Sequence, residues 1–286
     1  MNVNIKESGG GSHIAPKSKY NEVVKFFPVS VDNFFDNPDK IVKYAKNLPK
    51  EPDPIGKWPG NRTESIWKIN KELNDLIILK ILSCYYDLSY QDISWDYADL
   101  YFHEIPTIFK DKNDVRNKGE IHVDANDAPY EIAGLIYLTP DIDSDLGTSL
   151  FTLKQRNDKG YLKFSMGSKF GINLLKPNQN ISDDKEEFDE AYFTKRYKKH
   201  EEFFIEKTRF ANIYNRMITY DTNEFHRANN FYNGDGKDPR LTLVFFIGGL
   251  GTGRADGRKD EVSYPLEKVK GGELEEFIEY QCTPKE

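Results

Sequence analysis

Arg240-Leu241-Thr242-Leu243-Val244-Phe245-Phe246-Ile247 is an apolar run with a single cation at its head. Read as a β-strand, it places Arg240 and Thr242 on one face and Leu241, Leu243 and Phe245 on the other. Working outward, short aliphatic and aromatic runs separated by Gly, Pro, Asp and Asn begin at about Trp95. The candidate strands are 99–104, 131–138, 149–154, 169–174, 216–221 and 240–247, the pattern of an antiparallel, mainly-β fold. A highly charged segment, 183–207, interrupts them; Phe188, Tyr192, Phe193 and Phe203 among its charges predict an amphipathic helical insertion.

Upstream of the strands the texture is helical. Asn37 as cap, Pro38 in the first turn and Pro49 as stop bound one helix, with Ile41, Tyr44, Ala45 and Leu48 on one face. Leu73, Leu76, Ile77, Ile81 and Tyr85 recur at helical spacing in a second, from about Lys71 to Tyr86. Residues 1–18, with Gly9-Gly10-Gly11-Ser12, read as a flexible tail. The expected organisation is therefore one domain over 19–286: helical support (19–95), a β core (96–250) and a C-terminal extension (251–286).

Bulk properties exclude several classes. The composition, 38% hydrophobic and 14% aromatic, supplies a folded core and rules out a disordered chain. A formal net charge of -7 argues against non-specific nucleic-acid binding. Cys84 and Cys282 lie far apart in no paired pattern, so neither a disulfide framework nor a thiolate metal site is expected. The first residues lack the apolar stretch of a signal peptide and no run is long enough to span a bilayer, so a cytoplasmic setting without membrane partners is expected.

The chemistry centres on Ile121-His122-Val123-Asp124. On extended backbone, residues two apart point to the same side, so His122 and Asp124 can grip one metal ion. A second imidazole follows a later candidate strand, in Glu224-Phe225-His226. Two imidazoles and one carboxylate form the facial set of non-haem iron(II) oxygenases, although zinc accepts the same ligands. Arg240 discriminates: a buried guanidinium at the start of so apolar a strand needs an anion. A dicarboxylic keto acid meets that need, chelating the metal at one end while its distal carboxylate takes the Arg240 fork and the Thr242 hydroxyl.

The order His-x-Asp, a Tyr-Leu strand, Leu146-Gly147-Thr148-Ser149-Leu150-Phe151, a late His and an Arg-x-Thr strand resembles the iron(II)/2-oxoglutarate dioxygenase superfamily, in particular its prolyl-4-hydroxylase-like branch. The resemblance spans about Asp99 to Ile247. The segments Tyr220-Asp221-Thr222-Asn223-Glu224-Phe225-His226 and Trp58-Pro59-Gly60-Asn61-Arg62 are similar to bacterial and phage members of that branch. Only one of the paired glycines expected before Thr148 is kept, and the gap from His226 to Arg240 is longer than usual, filled by turn residues.

The resemblance implies a double-stranded β-helix, a jelly-roll barrel of cupin type. It implies iron(II) as metal, 2-oxoglutarate as small-molecule cosubstrate and O2 as oxidant. An unactivated C–H bond, of a prolyl or other peptidyl, protein or amino-acid substrate, is then hydroxylated with release of succinate and carbon dioxide. It also implies that Tyr137 offers its hydroxyl to the distal carboxylate. Asp124 favours hydroxylation over halogenation, because related halogenases lack a carboxylate there. Related nucleic-acid demethylases carry a second arginine where Phe246 and Ile247 stand.

Two readings from other classes compete. A zinc-binding cupin-like hydrolase or isomerase uses the same triad without needing Arg240 and Thr242 on one strand face. A non-catalytic jelly-roll binding protein needs neither. Of the remaining histidines, His13 falls in the tail, His200 on a charged helix where solvation is expected, and His103 in a strand where packing or hydrogen bonding is expected. The 183–207 segment and the stretch around Trp58 are expected to shape the substrate entrance.

Overall fold

Asn37-Pro38 opens the first helix as its residues dictate: the Asn37 side chain accepts the Lys40 amide at 3.2 Å and Pro38 fills the first turn. The computed structural model describes residues 26–54, 58–88, 93–107, 109–124, 130–154, 190–234 and 239–252. In chain order its elements are β1 (Val29–Val31), α1 (Pro38–Asn47), β2 (Glu51–Pro52), β3 (Asn61–Arg62), α2 (Ile66–Ile69), α3 (Lys71–Leu82), β4 (Ile93–Ser94) and β5 (Tyr97–Ile105). There follow β6 (Tyr130–Tyr137), β7 (Thr148–Leu153), α4 (Glu190–Glu201), β8 (Phe204–Phe210), β9 (Met217–Asp221), β10 (Phe225–Ala228), β11 (Arg240–Gly248) and β12 (Gly251–Thr252). The protein is mainly β, with a large antiparallel sheet and few helices.

The large sheet runs β1-β9-β6-β11-β5-β3-β2, a smaller one runs β10-β7-β8, and β12 pairs with β4. Strand β11 lies between β5 and β6, with Thr242 opposite His103 on one side and Tyr137 on the other. The alternation expected along β11 decides what each face meets. Leu241, Leu243, Phe245 and Ile247 join Leu100, Phe102, Ile132, Ile136 and Met217 under α1 and α3. The opposite face carries Arg240 and Thr242, and there Ala133, Tyr137, Ile218 and Tyr220 pack against Leu150 of the small sheet. One face thus makes the core and the other the floor of a site.

Helix α3 departs from a one-sided pattern. Leu73, Leu76, Ile77, Ile78, Leu79, Ile81 and Leu82 are all buried, because the N-terminal segment and α1 cover what the sheet does not. The helix ends at Leu82, short of Tyr85, which leaves the helical axis to donate its hydroxyl to Thr219 Oγ1 at 3.2 Å. Truncating Leu243, wholly buried in this core, is expected to cost about 2–5 kcal/mol. Urea denaturation measures it, and a loss below about 1 kcal/mol would show that the helices do not depend on that face.

Two sequence expectations are corrected. Among the described residues of the charged segment the helix is α4; Phe204 already begins β8, so the expected insertion 183–207 overruns into the small sheet. Strand β8 is an edge strand whose Glu206 and Lys207 face water, which gives it the charge texture of a helix. His200 is buried and its Nε2 lies 3.2 Å from the Ile121 carbonyl, where a solvated ring was expected. His122 forms a single antiparallel bridge with His226, outside the named strands. The candidate strand 169–174, the tail 1–18 with His13, and 253–286 of the expected C-terminal extension lie outside the described residues.

Candidate metal centre

Strand β9 belongs to the large sheet and β10 to the small one, so the chain crosses between sheets in Asp221-Thr222-Asn223-Glu224. The Asp221 side chain accepts the Asn223 amide at 2.9 Å and Glu224 N–H donates to Asp221 O at 2.9 Å, closing that turn. Thr222 is pinned to β6, its N–H donating to Glu131 O and its hydroxyl to Tyr130 O. The same Thr222 carbonyl accepts the Asp124 amide at 3.0 Å, and His122 and His226 exchange backbone hydrogen bonds at 3.0 and 2.9 Å. Backbone pairing therefore sets the relative positions of the three side chains.

Their ligand atoms lie within 4.8 Å of one another, and the set could hold a metal ion. Asp124 reaches toward both rings, 3.5 Å to His122 Nε2 and 3.2 Å to His226 Nε2. Each imidazole places Nδ1 against the carbonyl two residues earlier, His122 on Glu120 O at 2.8 Å and His226 on Glu224 O at 3.0 Å. A ring whose Nδ1–H donates to a carbonyl keeps a lone pair on Nε2, so both rings are oriented to ligate through Nε2. Sequence reasoning singled out these three residues and missed the carbonyls, because nothing in residue type marks a backbone acceptor.

Electrostatics in the metal-free site follow from the shared carboxylate. Burial pushes His226 down to about 4, with Asp124 opposing. Burial also opposes charge on His122, but the Asp124 carboxylate outweighs it and raises that ring to about 9. Burial alone would raise Asp124; His226 and His122 hold it below the ordinary carboxylate value instead. The His122 side chain stays 51% exposed, so one ligand borders solvent while His226 forms the inner wall under the Tyr220 ring, 4.6 Å between centroids.

Arg240 lies on the other wall. It is 2% exposed, its Nη1 donates to Asn230 O at 3.1 Å, and its buried Nε has no hydrogen-bond partner. Among the described residues no carboxylate pairs with it. Burial lowers its pKa, and Tyr137, over whose ring the guanidinium sits at 5.6 Å, opposes that. The Tyr137 hydroxyl donates to Thr148 Oγ1 at 2.9 Å, a partner the sequence did not reveal. Thr242 is buried in the ladder between His103 and Tyr137. Tyr137 and Tyr220 belong to one packed cluster, so a single layer of side chains connects Arg240 to His226.

Residues 25–247 match the family of unknown function DUF6445. The chain belongs to this family. No curated protein matches this DUF6445 chain. Solved structures similar to it include a prolyl hydroxylase from Trichoplax adhaerens in complex with a hypoxia inducible factor peptide fragment: 10% identity, TM-score 0.43, covering 81% of this chain and 86% of that one. Another is an oxidoreductase of the 2OG-Fe(II) oxygenase family from Burkholderia pseudomallei: 13% identity, TM-score 0.42, covering 84% and 93%. HygX from Streptomyces hygroscopicus with nickel and 2-oxoglutarate bound is a third: 12% identity, TM-score 0.39, covering 78% and 83%. At these identities the chemistry of the DUF6445 site has to be read from its own residues. No helix among the described residues is long and apolar enough to cross a membrane.

Proposed function

We propose that this protein is an iron(II)- and 2-oxoglutarate-dependent oxygenase that hydroxylates an unactivated C–H bond, built on a double-stranded β-helix. The observation that carries the reading is Arg240, a buried guanidinium with an orphaned Nε and no carboxylate beside it among the described residues. A buried charge left unpaired is costly, so the position is explained when an anion arrives from outside. A His-Asp-His set across the same packed cluster explains why that anion should also chelate a metal. A zinc hydrolase would use the triad and leave Arg240 unaccounted for.

In this reading His122, Asp124 and His226 hold iron(II) on one side and leave the remaining positions open. Bound iron(II) with 2-oxoglutarate supplies the activation of dioxygen, with succinate and carbon dioxide as co-products. Arg240 takes the distal carboxylate of 2-oxoglutarate as a bidentate fork, and Thr242 adds a hydroxyl. Tyr137 supports the guanidinium by its ring; burial keeps its phenol protonated, so the hydroxyl remains a hydrogen-bond donor. Tyr220 and Leu150 close the apolar wall behind His226 and keep water from the inner side of the ion. Peptidyl and amino-acid substrates fit such chemistry.

The deciding measurement is 2-oxoglutarate consumption and succinate release by the iron-loaded protein under air, across a panel of peptides and amino acids. Failure of 2-oxoglutarate to bind the metal-loaded protein would overturn the reading. A second expectation concerns pH. A proton on His122 must leave before the ring can ligate, and that ring is raised to about 9. Metal affinity is therefore expected to rise with pH through the neutral range, by up to about tenfold per unit for one displaced proton, and to level off above that value. Titrations with a redox-inert divalent ion at several pH values check it. A flat profile between pH 6 and 8 would show that the His122 ring is already neutral there.

A further inference from the structure

A second buried guanidinium lies on β3, next to the edge strand β2 of the large sheet and within electrostatic reach of Asp124. Arg62 lies on β3, opposite His103 of β5, which in turn lies opposite Thr242 of β11 and then Tyr137 of β6. One polar row thus crosses four strands, with Arg62 at its outer end. The Arg62 guanidinium stacks on the Trp58 ring at 4.2 Å and approaches the Tyr101 ring at 5.6 Å. Among the described residues its buried Nε has no hydrogen-bond partner, and neither does the Trp58 indole Nε1. Two neighbouring donors are therefore withdrawn from water with nothing to donate to, which a protein tolerates where a ligand supplies the acceptor.

The local backbone is built to hold this arrangement. Gly60 adopts φ +77 and a Cβ there would fall 2.1 Å from the Glu104 carbonyl, so only glycine lets the Trp58–Arg62 segment fold this closely onto β5. His103 Nε2 meets the Pro59 carbonyl at 2.5 Å. Burial, with Arg62 and Arg240 adding to it, holds His103 well below its ordinary value, so the ring stays neutral between two cations. Burial lowers Arg62 to about 10, against the opposing influence of Tyr101, Asp124 and Asp53. Asp124 is a proposed metal ligand, so this cation lies within electrostatic reach of the candidate metal centre.

We infer that Arg62 and the Trp58 indole form a recognition site for a carboxylate of the primary substrate, placing its C–H bond beside the metal. The inference rests on the proposed oxygenase reading, in which Arg240 is taken by 2-oxoglutarate. A monoanion is favoured over a phosphate dianion, because it matches the single charge of one guanidinium near which Asp124 and Asp53 already lie. The stack fixes the plane of the guanidinium, so its fork is preorganised for a planar acceptor. The carboxylate is either the α-carboxylate of an amino acid or an acidic side chain of a peptide.

The test uses the full chain, loaded with nickel(II) and 2-oxoglutarate and also unloaded. The probes are the free L-amino acids, their carboxamides, and short capped peptides with Asp or Glu or with Asn or Gln. Binding is followed by calorimetry. Acids should bind at least about tenfold tighter than the matched amides, the preference expected of one charge-assisted hydrogen-bonded pair. Arg62→Gln should erase that preference and leave nickel and 2-oxoglutarate binding intact. Trp58→Phe keeps a ring for the stack but deletes the indole donor, so it should weaken acid binding several-fold. Free amino acids binding alone assigns the α-carboxylate; acidic peptides binding alone assigns the side chain.

Equal binding of acids and amides, or no binding of any acid to protein that takes nickel and 2-oxoglutarate, would overturn the inference. If 2-oxoglutarate itself does not bind, the oxygenase reading fails. The unloaded protein then still decides the Arg62 site, since neither donor depends on a metal. Arg62→Lys guards against misfolding of the Gln variant: it retains the charge, loses the fork, and should keep only part of the preference.

Discussion

Exchange of His226 for alanine is expected to weaken iron(II) binding by more than ~100-fold, beyond the range seen when only an outer partner of a ligand is removed. The ring is buried, contacts Tyr220 at 4.6 Å and points Nε2 at Asp124. No other histidine, cysteine, aspartate or glutamate among the described residues lies within the same cluster to replace it. Because the substitution also opens a hole beneath Tyr220, the same measurement on His122→Ala keeps binding and folding apart. That side chain is 51% exposed, so its removal should open no buried cavity while removing a proposed ligand. Iron content after anaerobic loading and dialysis reads the first effect, and urea denaturation the second. An alanine variant at either position that retains stoichiometric iron would break the proposed ligand set.

The proposed metal ligands and the residues that hold them in place were not equally visible in the sequence. His122, Asp124 and His226 stood out because imidazole and carboxylate are the common protein ligands of such metals, and a spacing of two is meaningful on extended backbone. Strand β11 stood out because alternation along one strand survives burial on both of its faces when one face carries Arg240 and Thr242. Thr222, which anchors Asp124, and Thr148, which receives the Tyr137 hydroxyl, carry no such mark. Their roles arise from the crossing between sheets and from strand register, both of which involve residues far apart in the chain. Arg62 was visible only as part of a quoted segment, since β3 is two residues long and offers no period to read. β8 was misread because an edge strand and a solvated helix share the same charge content. His200 was misread because its helix turns one face inward, against Ile121 just before the first ligand.

Replacing Arg240 with methionine is expected to separate stability from function. In the protein without ligands the guanidinium is a buried charge with an orphaned Nε, and methionine of similar length removes that charge while filling much of the volume. The metal-free variant should therefore be as stable as the natural chain or more stable, within the range of about 1–4 kcal/mol seen when buried ionic groups give way to apolar ones. 2-Oxoglutarate binding should fall by at least ~30-fold, about 2 kcal/mol, because the distal carboxylate loses a bidentate partner in a desolvated site. Metal affinity should hold, since Arg240 touches no ligand atom of the triad. Added 2-oxoglutarate should then raise the melting temperature of the natural, nickel-loaded protein in proportion to the logarithm of its concentration and leave the variant nearly unmoved. A variant that melts lower without ligand yet still responds fully to 2-oxoglutarate would make Arg240 a structural residue, and the anion it awaits would have to be sought within the chain itself.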